Sequence, residues 1–120
     1  MAAPNIVNVA TITGHTTAAN LTTSNAAIVT CGSDYVVKVN SIIISNIDGT
    51  NAADVTVYFY DSSQTARYQI VNTVSVPADS TLVVIDRNSG IYLEEGDKIE
   101  GMASAASDLS IIVSYEAIID

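Results

Sequence analysis

Apolar and polar residues alternate along most of this chain with a period of two, and turn-forming residues interrupt the alternation at short, regular intervals. A period of two puts successive side chains on opposite faces of an extended strand, so each such run predicts a strand with one buried face. The clearest run lies near the C-terminus. Thr81 to Asp86 is a short β-branched segment broken by Asp86-Arg87-Asn88-Ser89-Gly90, and Ile91-Tyr92-Leu93 leads into an acidic turn, Glu94-Glu95-Gly96-Asp97. Lys98 to Ala103 follows as a strand. After a turn at Ser104 to Asp108, Leu109, Ile111, Val113 and Tyr115 face one way while Ser110, Ser114 and Glu116 face the other.

The same grammar applies upstream. Asn5 to Thr13 reads as a strand, with Val7 and Val9 on one face and Ile6, Ala10 and Ile12 on the other; Gly14-His15-Thr16-Thr17 is expected to break it. Ala18 to Thr23 is ambiguous between loop and weak strand. Ala26 to Cys31 is a short strand ended by Gly32-Ser33-Asp34. In Tyr35 to Asn46, Val37 and Val39 are in phase but Ile42 and Ile44 have the opposite parity, which predicts a β-bulge near Asn40-Ser41 or a bend carrying the strand between sheets. Asp54 to Tyr60 directs Val55, Val57 and Phe59 inward and Thr56, Tyr58 and Tyr60 outward. Past a hairpin loop at Asp61 to Ala66, Tyr68, Ile70, Val74 and Val76 mark one face of the returning strand.

About eight strands and no helical period of ten residues predict an all-β chain: a two-sheet antiparallel β-sandwich, jelly-roll-like. Its 120 residues are read as one domain, 1–120, with 1–13 as an interface arm or strand. The expected core includes Val55, Val57, Phe59, Leu82, Val84, Ile99, Leu109, Ile111 and Val113. Strand order, Greek-key or up-and-down, does not follow from periodicity.

Composition changes the picture in two places. Thirteen acids against four bases give a net charge of −9, and Lys38, Arg67, Arg87 and Lys98 are scattered, which argues against nucleic acid as a partner. The second feature is local: residues 1–33 contain no Asp, Glu, Lys or Arg. Two readings stay open, a neutral edge strand and loop, or a segment held in a subunit interface, where unpaired charge is disfavoured. On the second reading the contact residues are Asn5, Ile6, Val7, Val9 and Ile12, with the outward Tyr58 and Tyr60 as further candidates.

Candidate chemistry is sparse. His15 is the single histidine, no serine sits in a nucleophile-elbow context, and Glu94 and Glu95 are adjacent, so they cannot flank one substrate bond from a strand. Asp48, Asn51 and Asp54 offer oxygen ligands, yet Asp-Gly and Asn-rich loops more often bond their own backbone. No metal, cofactor or enzymatic activity is expected. Cys31, the one cysteine, reads as a small buried apolar residue. The N-terminal residues lack a basic segment and a long apolar core, and no run reaches the roughly 18 apolar residues of a membrane helix, so cytosolic synthesis without membrane association is the expectation.

The runs SNIDGTNAADVTVYFYD and TVSVPADSTLVVIDRNSGIYLEEGDKIEGMASAASDLSIIVSYE, with the opening APNIVNVATITG, resemble small virion structural proteins of tailed bacteriophages, notably those of marine cyanobacteria. VPADSTLVVID, the IYLEEGDKI turn and the closing SYE carry most of the likeness. The resemblance implies an all-β module on the head exterior, assembled in the host cytoplasm, most often as a homotrimer on the major capsid protein: a decoration or cement protein. Alternatives within that setting are a carbohydrate- or receptor-binding fibre-associated module and a tail, neck or baseplate component. It supplies no catalytic residues.

Overall fold

The computed structural model describes residues 11–120. They form nine strands: β1 (Thr11–Asn20), β2 (Ala26–Thr30), β3 (Tyr35–Asn46), β4 (Ala53–Asp61), β5 (Ala66–Val76), β6 (Thr81–Ile85), β7 (Ile91–Leu93), β8 (Lys98–Ala103) and β9 (Leu109–Ile119). A 3-10 turn at Arg87–Ser89, capped by Asp86, separates β6 from β7. Two antiparallel sheets pack face to face. One runs β1-β9-β3-β6, with β7 also on β3; the other runs β2-β8-β4-β5.

Because β6 and β7 both pair with β3, they share one strand position interrupted by the 3-10 turn, so the sandwich has eight positions. The chain passes repeatedly from sheet to sheet, the order of a jelly roll, and among the described residues the β4–β5 hairpin is the one connection between consecutive strands paired with each other. Strand order is thereby settled in favour of the Greek-key type.

The inward faces close on one cluster that includes Val39, Ile42, Ile44, Leu93, Leu109, Ile111 and Val113 from the first sheet and Val55, Val57, Val76 and Ile99 from the second. The phase switch in β3 is a bulge. Its pairing with β9 shifts between Val39 and Ser41, which lets both Val37/Val39 and Ile42/Ile44 point into the same core. The strand stays in one sheet throughout and does not cross over.

Four local expectations need correction. Gly14-His15-Thr16-Thr17 does not break a strand; β1 runs through it in unbroken register with β9, from Thr11↔Ile119 to Asn20↔Ser110. Glycine is a weak strand former alone, but a partner strand supplies the ladder that overrides it. Phe59, Leu82 and Val84 are half-buried at the margin of the core rather than inside it. Tyr68 is 51% exposed at the end of the sandwich, where its hydroxyl donates to Gln64 Oε1 at 2.7 Å. Thr56 points outward yet is buried, because β5 bulges over it and Thr73 N–H donates to its Oγ1 at 3.1 Å.

Candidate assembly surface

The register places the outward side chains of the five-stranded sheet in rows. Asn20, Ser110, Ser45 and Thr81 form one, and Ala18, Ile112, Ile43 and Val83 the next. Beyond them come Thr16, Ser114 and Ser41, then the bulge. On this side of the bulge no outward residue carries a charge. Past it the face changes character: Gly14, Glu116, Lys38 and Tyr92 make a row, and Asn40 Nδ2 donates to Glu116 Oε1 at 3.2 Å. Lys38, Asn40, Ser41, Arg87, Ser114 and Glu116 line an open depression of about 420 Å³ there.

The outward face of the four-stranded sheet is built differently. Thr30, Lys98, Tyr60 and Arg67 lie across it in one row, and Ala27, Glu100, Tyr58 and Gln69 in the next. Arg67 donates from Nε to Glu100 Oε1 at 2.8 Å, and Asn25 Nδ2 donates to the same oxygen at 3.0 Å. These bonds hold the Glu100 carboxyl below its usual range, against the opposing effect of burial. Arg67 and Lys98 both approach the Tyr60 ring, each 5.2 Å from its centre. This face has its charges paired internally.

The expected interface residues separate accordingly. Asn5, Ile6, Val7 and Val9 lie outside the described residues. Ile12 is 53% exposed on β1, in a row with Ile118 and Val36 on the five-stranded sheet. Tyr58 and Tyr60 are half-buried on the other sheet, so the structure does not bring them together with Ile12. Residues that the sequence reading passed over, Ala18, Ile43, Ile112 and Val83, form the apolar row. Its one sequence-level signal is the parity of Ile43 and Ile112, each of which breaks the alternation of its strand on the polar side.

The chemically suggestive groups have structural partners. His15 stacks on Tyr115 across the β1–β9 pair, ring centres 5.3 Å apart, so it is a strand residue and not a loop residue. Asp48 accepts from Thr50 N–H, Asn51 N–H and Asn51 Nδ2, and these bonds lower its pKa. The buried Asp97 carboxylate accepts from Ser62 N–H at 2.9 Å and Glu94 N–H at 3.0 Å, tying two loops together. Cys31 is buried and its thiol, which donates to Tyr35 O, is pushed up to about 11 chiefly by desolvation. Among the described residues, no three His, Cys, Asp or Glu side chains are grouped to hold a metal ion.

No family model matches this chain, and no curated protein matches it. Its fold is similar to that of a solved chain from Bacillus endospore appendages, a family of disulfide-linked pili: the TM-score is 0.52 at 16% identity, over 92% of this chain and 90% of that one. At that identity the likeness is one of fold. The single cysteine here is buried in the sandwich.

Proposed function

We propose that this chain is a non-enzymatic structural subunit of a virion, a head decoration protein that binds the major capsid protein on the outside of the shell as a homotrimer. The observation that carries the reading is the neutral outward half of the five-stranded sheet. In a protein of net charge −9, a broad exposed area of Ser, Thr, Ala, Ile and Val without a single ion is suited to being covered, since burying unpaired charge is what an interface must avoid. Binding of this kind requires area and register, not chemistry. The paired state of Asp97, Glu100 and Cys31 fits a scaffold role.

Quantitative gel densitometry of purified virions tests it. The chain should be present in a fixed ratio to the shell protein; a trace amount would instead indicate a tail, neck or baseplate component. A second reading, the subunit of a filament, is supported by the fold shared with a pilus-forming appendage chain. Negative-stain microscopy of the purified protein separates the two, with discrete particles expected for decoration and linear polymers for a filament. The carbohydrate-binding alternative has less support, because Arg67 and Lys98 already engage the Tyr60 ring that a sugar would stack on.

A further inference from the structure

We infer that copies of this chain join head to tail by adding β1 of one to the β6–β7 edge of the next, which continues the five-stranded sheet from subunit to subunit. The inference rests on the structural-subunit reading and names a second copy as the partner of the neutral β1 edge.

Edge strands with free backbone groups invite pairing, and soluble proteins blunt them with charge, shortness or bulges. Both edges of the four-stranded sheet are blunted. β2 has five residues and a register shift between Ala27 and Val29, and β5 carries Arg67 and two irregularities against β4; on the five-stranded sheet β6 is short, but β7 prolongs its position past the 3-10 turn. β1 has ten residues, unbroken register and no charged side chain, and Thr11 to Thr16 are all exposed. Among the described residues it is the edge left open.

The opposite edge of the same sheet fits it in three respects. Strand directions alternate along β1-β9-β3-β6, so a β1 placed beyond β6 continues the antiparallel order. β6 and β7, on either side of the 3-10 turn, lie along the span of β3 and β9 that β1 covers on the far side. Side chains also complement one another row by row. The row Ala18–Ile112–Ile43–Val83 ends in a 57% exposed valine, and the row Gly14–Glu116–Lys38–Tyr92 ends in a 48% exposed tyrosine. Continuing the sheet sets the next copy's Ala18 beside Val83 and its Gly14 beside Tyr92. Gly14 has open space where a Cβ would stand, so an aromatic ring can lie over its backbone.

β1 carries no acid, and Asp86, the one acid between β6 and β7, bonds Asn88 N–H and Ser89 in the 3-10 turn, so the copies meet without opposing carboxylates; Asp34, Glu94, Glu95 and Asp120 lie at one end of the sandwich and Asp48, Asp79 and Asp108 at the other. A contact between two different edges leaves each copy with one of each unused, which closes into a ring or extends as a fibre. A symmetric β1–β1 pair would instead stop at two.

Single-cysteine pairing tests the geometry on the full chain. Ala18→Cys and Val83→Cys proteins, mixed under mild oxidation, should form an intermolecular disulfide far faster than either alone, and Gly14→Cys with Tyr92→Cys should behave likewise; the buried Cys31 serves as the internal blank. Ala18→Cys cross-linking to itself as fast as to Val83→Cys would overturn the head-to-tail arrangement in favour of a two-fold pair. In sedimentation velocity, Val83→Lys and Gly14→Lys should raise the concentration for half-association at least tenfold, while Ile47→Lys, exposed in the loop after β3, should leave it unchanged. A parent protein that stays monomeric, or edge variants that associate as the parent does, would refute the proposal. Cross-linking that succeeds with a chain absent from virions would keep the edge pairing and discard the head-decoration role.

Discussion

The two outward faces of this sandwich meet the same solvent and solve the problem in opposite ways. On the four-stranded sheet Arg67, Glu100, Asn25, Lys98 and Tyr60 satisfy one another, so the surface is complete within one chain. On the five-stranded sheet, from the bulge to Asn46, small hydroxyl and aliphatic side chains stand in rows with no ion among them. Their edges differ in the same sense. β5 is bulged, with Thr73 at φ 52° and Arg67 on its outward face, whereas β1 is regular and neutral. A surface whose charges are paired internally gains little from a partner, and one from which charge has been withheld loses little by being covered.

Substitutions should therefore act on stability in one place and on association in another. The largest effect on stability belongs to the shared core: Val57→Asp buries an unpaired carboxylate and should lower the unfolding free energy by about 4 kcal/mol or more, measured by urea denaturation. A Val57→Asp protein that melts like the parent would mean the inward face of β4 is misassigned.

Next comes the network on the four-stranded sheet. Glu100→Ala should cost about 1–2 kcal/mol, since it strands Asn25 and frees Arg67, which is itself half exposed. The same carboxylate titrates lower in the folded protein than unfolded. The unfolded state then binds more protons between the two values, so this contribution is full above the ordinary carboxylate range and is lost as pH falls through the depressed folded value. Glu100→Gln should show a shallower acid loss than the parent. An identical acid limb in both would remove Glu100 from the network's energetics.

Cys31 gives the opposite sign. With its folded pKa raised to about 11 from 9.0, the neutral thiol contributes fully below the unfolded value, and stability falls as pH rises through that window. Cys31→Val should flatten the alkaline limb, and thiol reagents should label the parent only as it unfolds. The smallest stability change is expected at the neutral β1 edge, where Thr16→Asp, at an exposed position, should shift unfolding by less than ~0.5 kcal/mol while abolishing association. A Thr16→Asp protein that still assembles would show that this edge stays open to water.

Much of the architecture was legible because it is local. Turn residues marked strand ends, alternation sorted Val55 and Val57 from Tyr58 and Tyr60, and the parity change across Asn40-Ser41 gave the bulge. What escaped depends on partners distant in sequence. Gly14 to Thr17 look like a break until β9 pairs with them, and Thr56 looks exposed until β5 folds over it. The uncharged run to Ser33 was visible, but its meaning lies in which strands it becomes: β1 and β2, an edge of each sheet. The Gly14–Tyr92 and Ala18–Val83 rows span four strands and cannot be read along the chain.

Amide hydrogen exchange on the assembled protein, set against the isolated subunit, bears most directly on whether the neutral sheet is the assembly surface. Assembly through it predicts slowed exchange in β1 and along β6 and β7, with β5 unchanged. Slowed exchange in β5 over the Tyr60 face, with β1 still exchanging as in the free subunit, would contradict it.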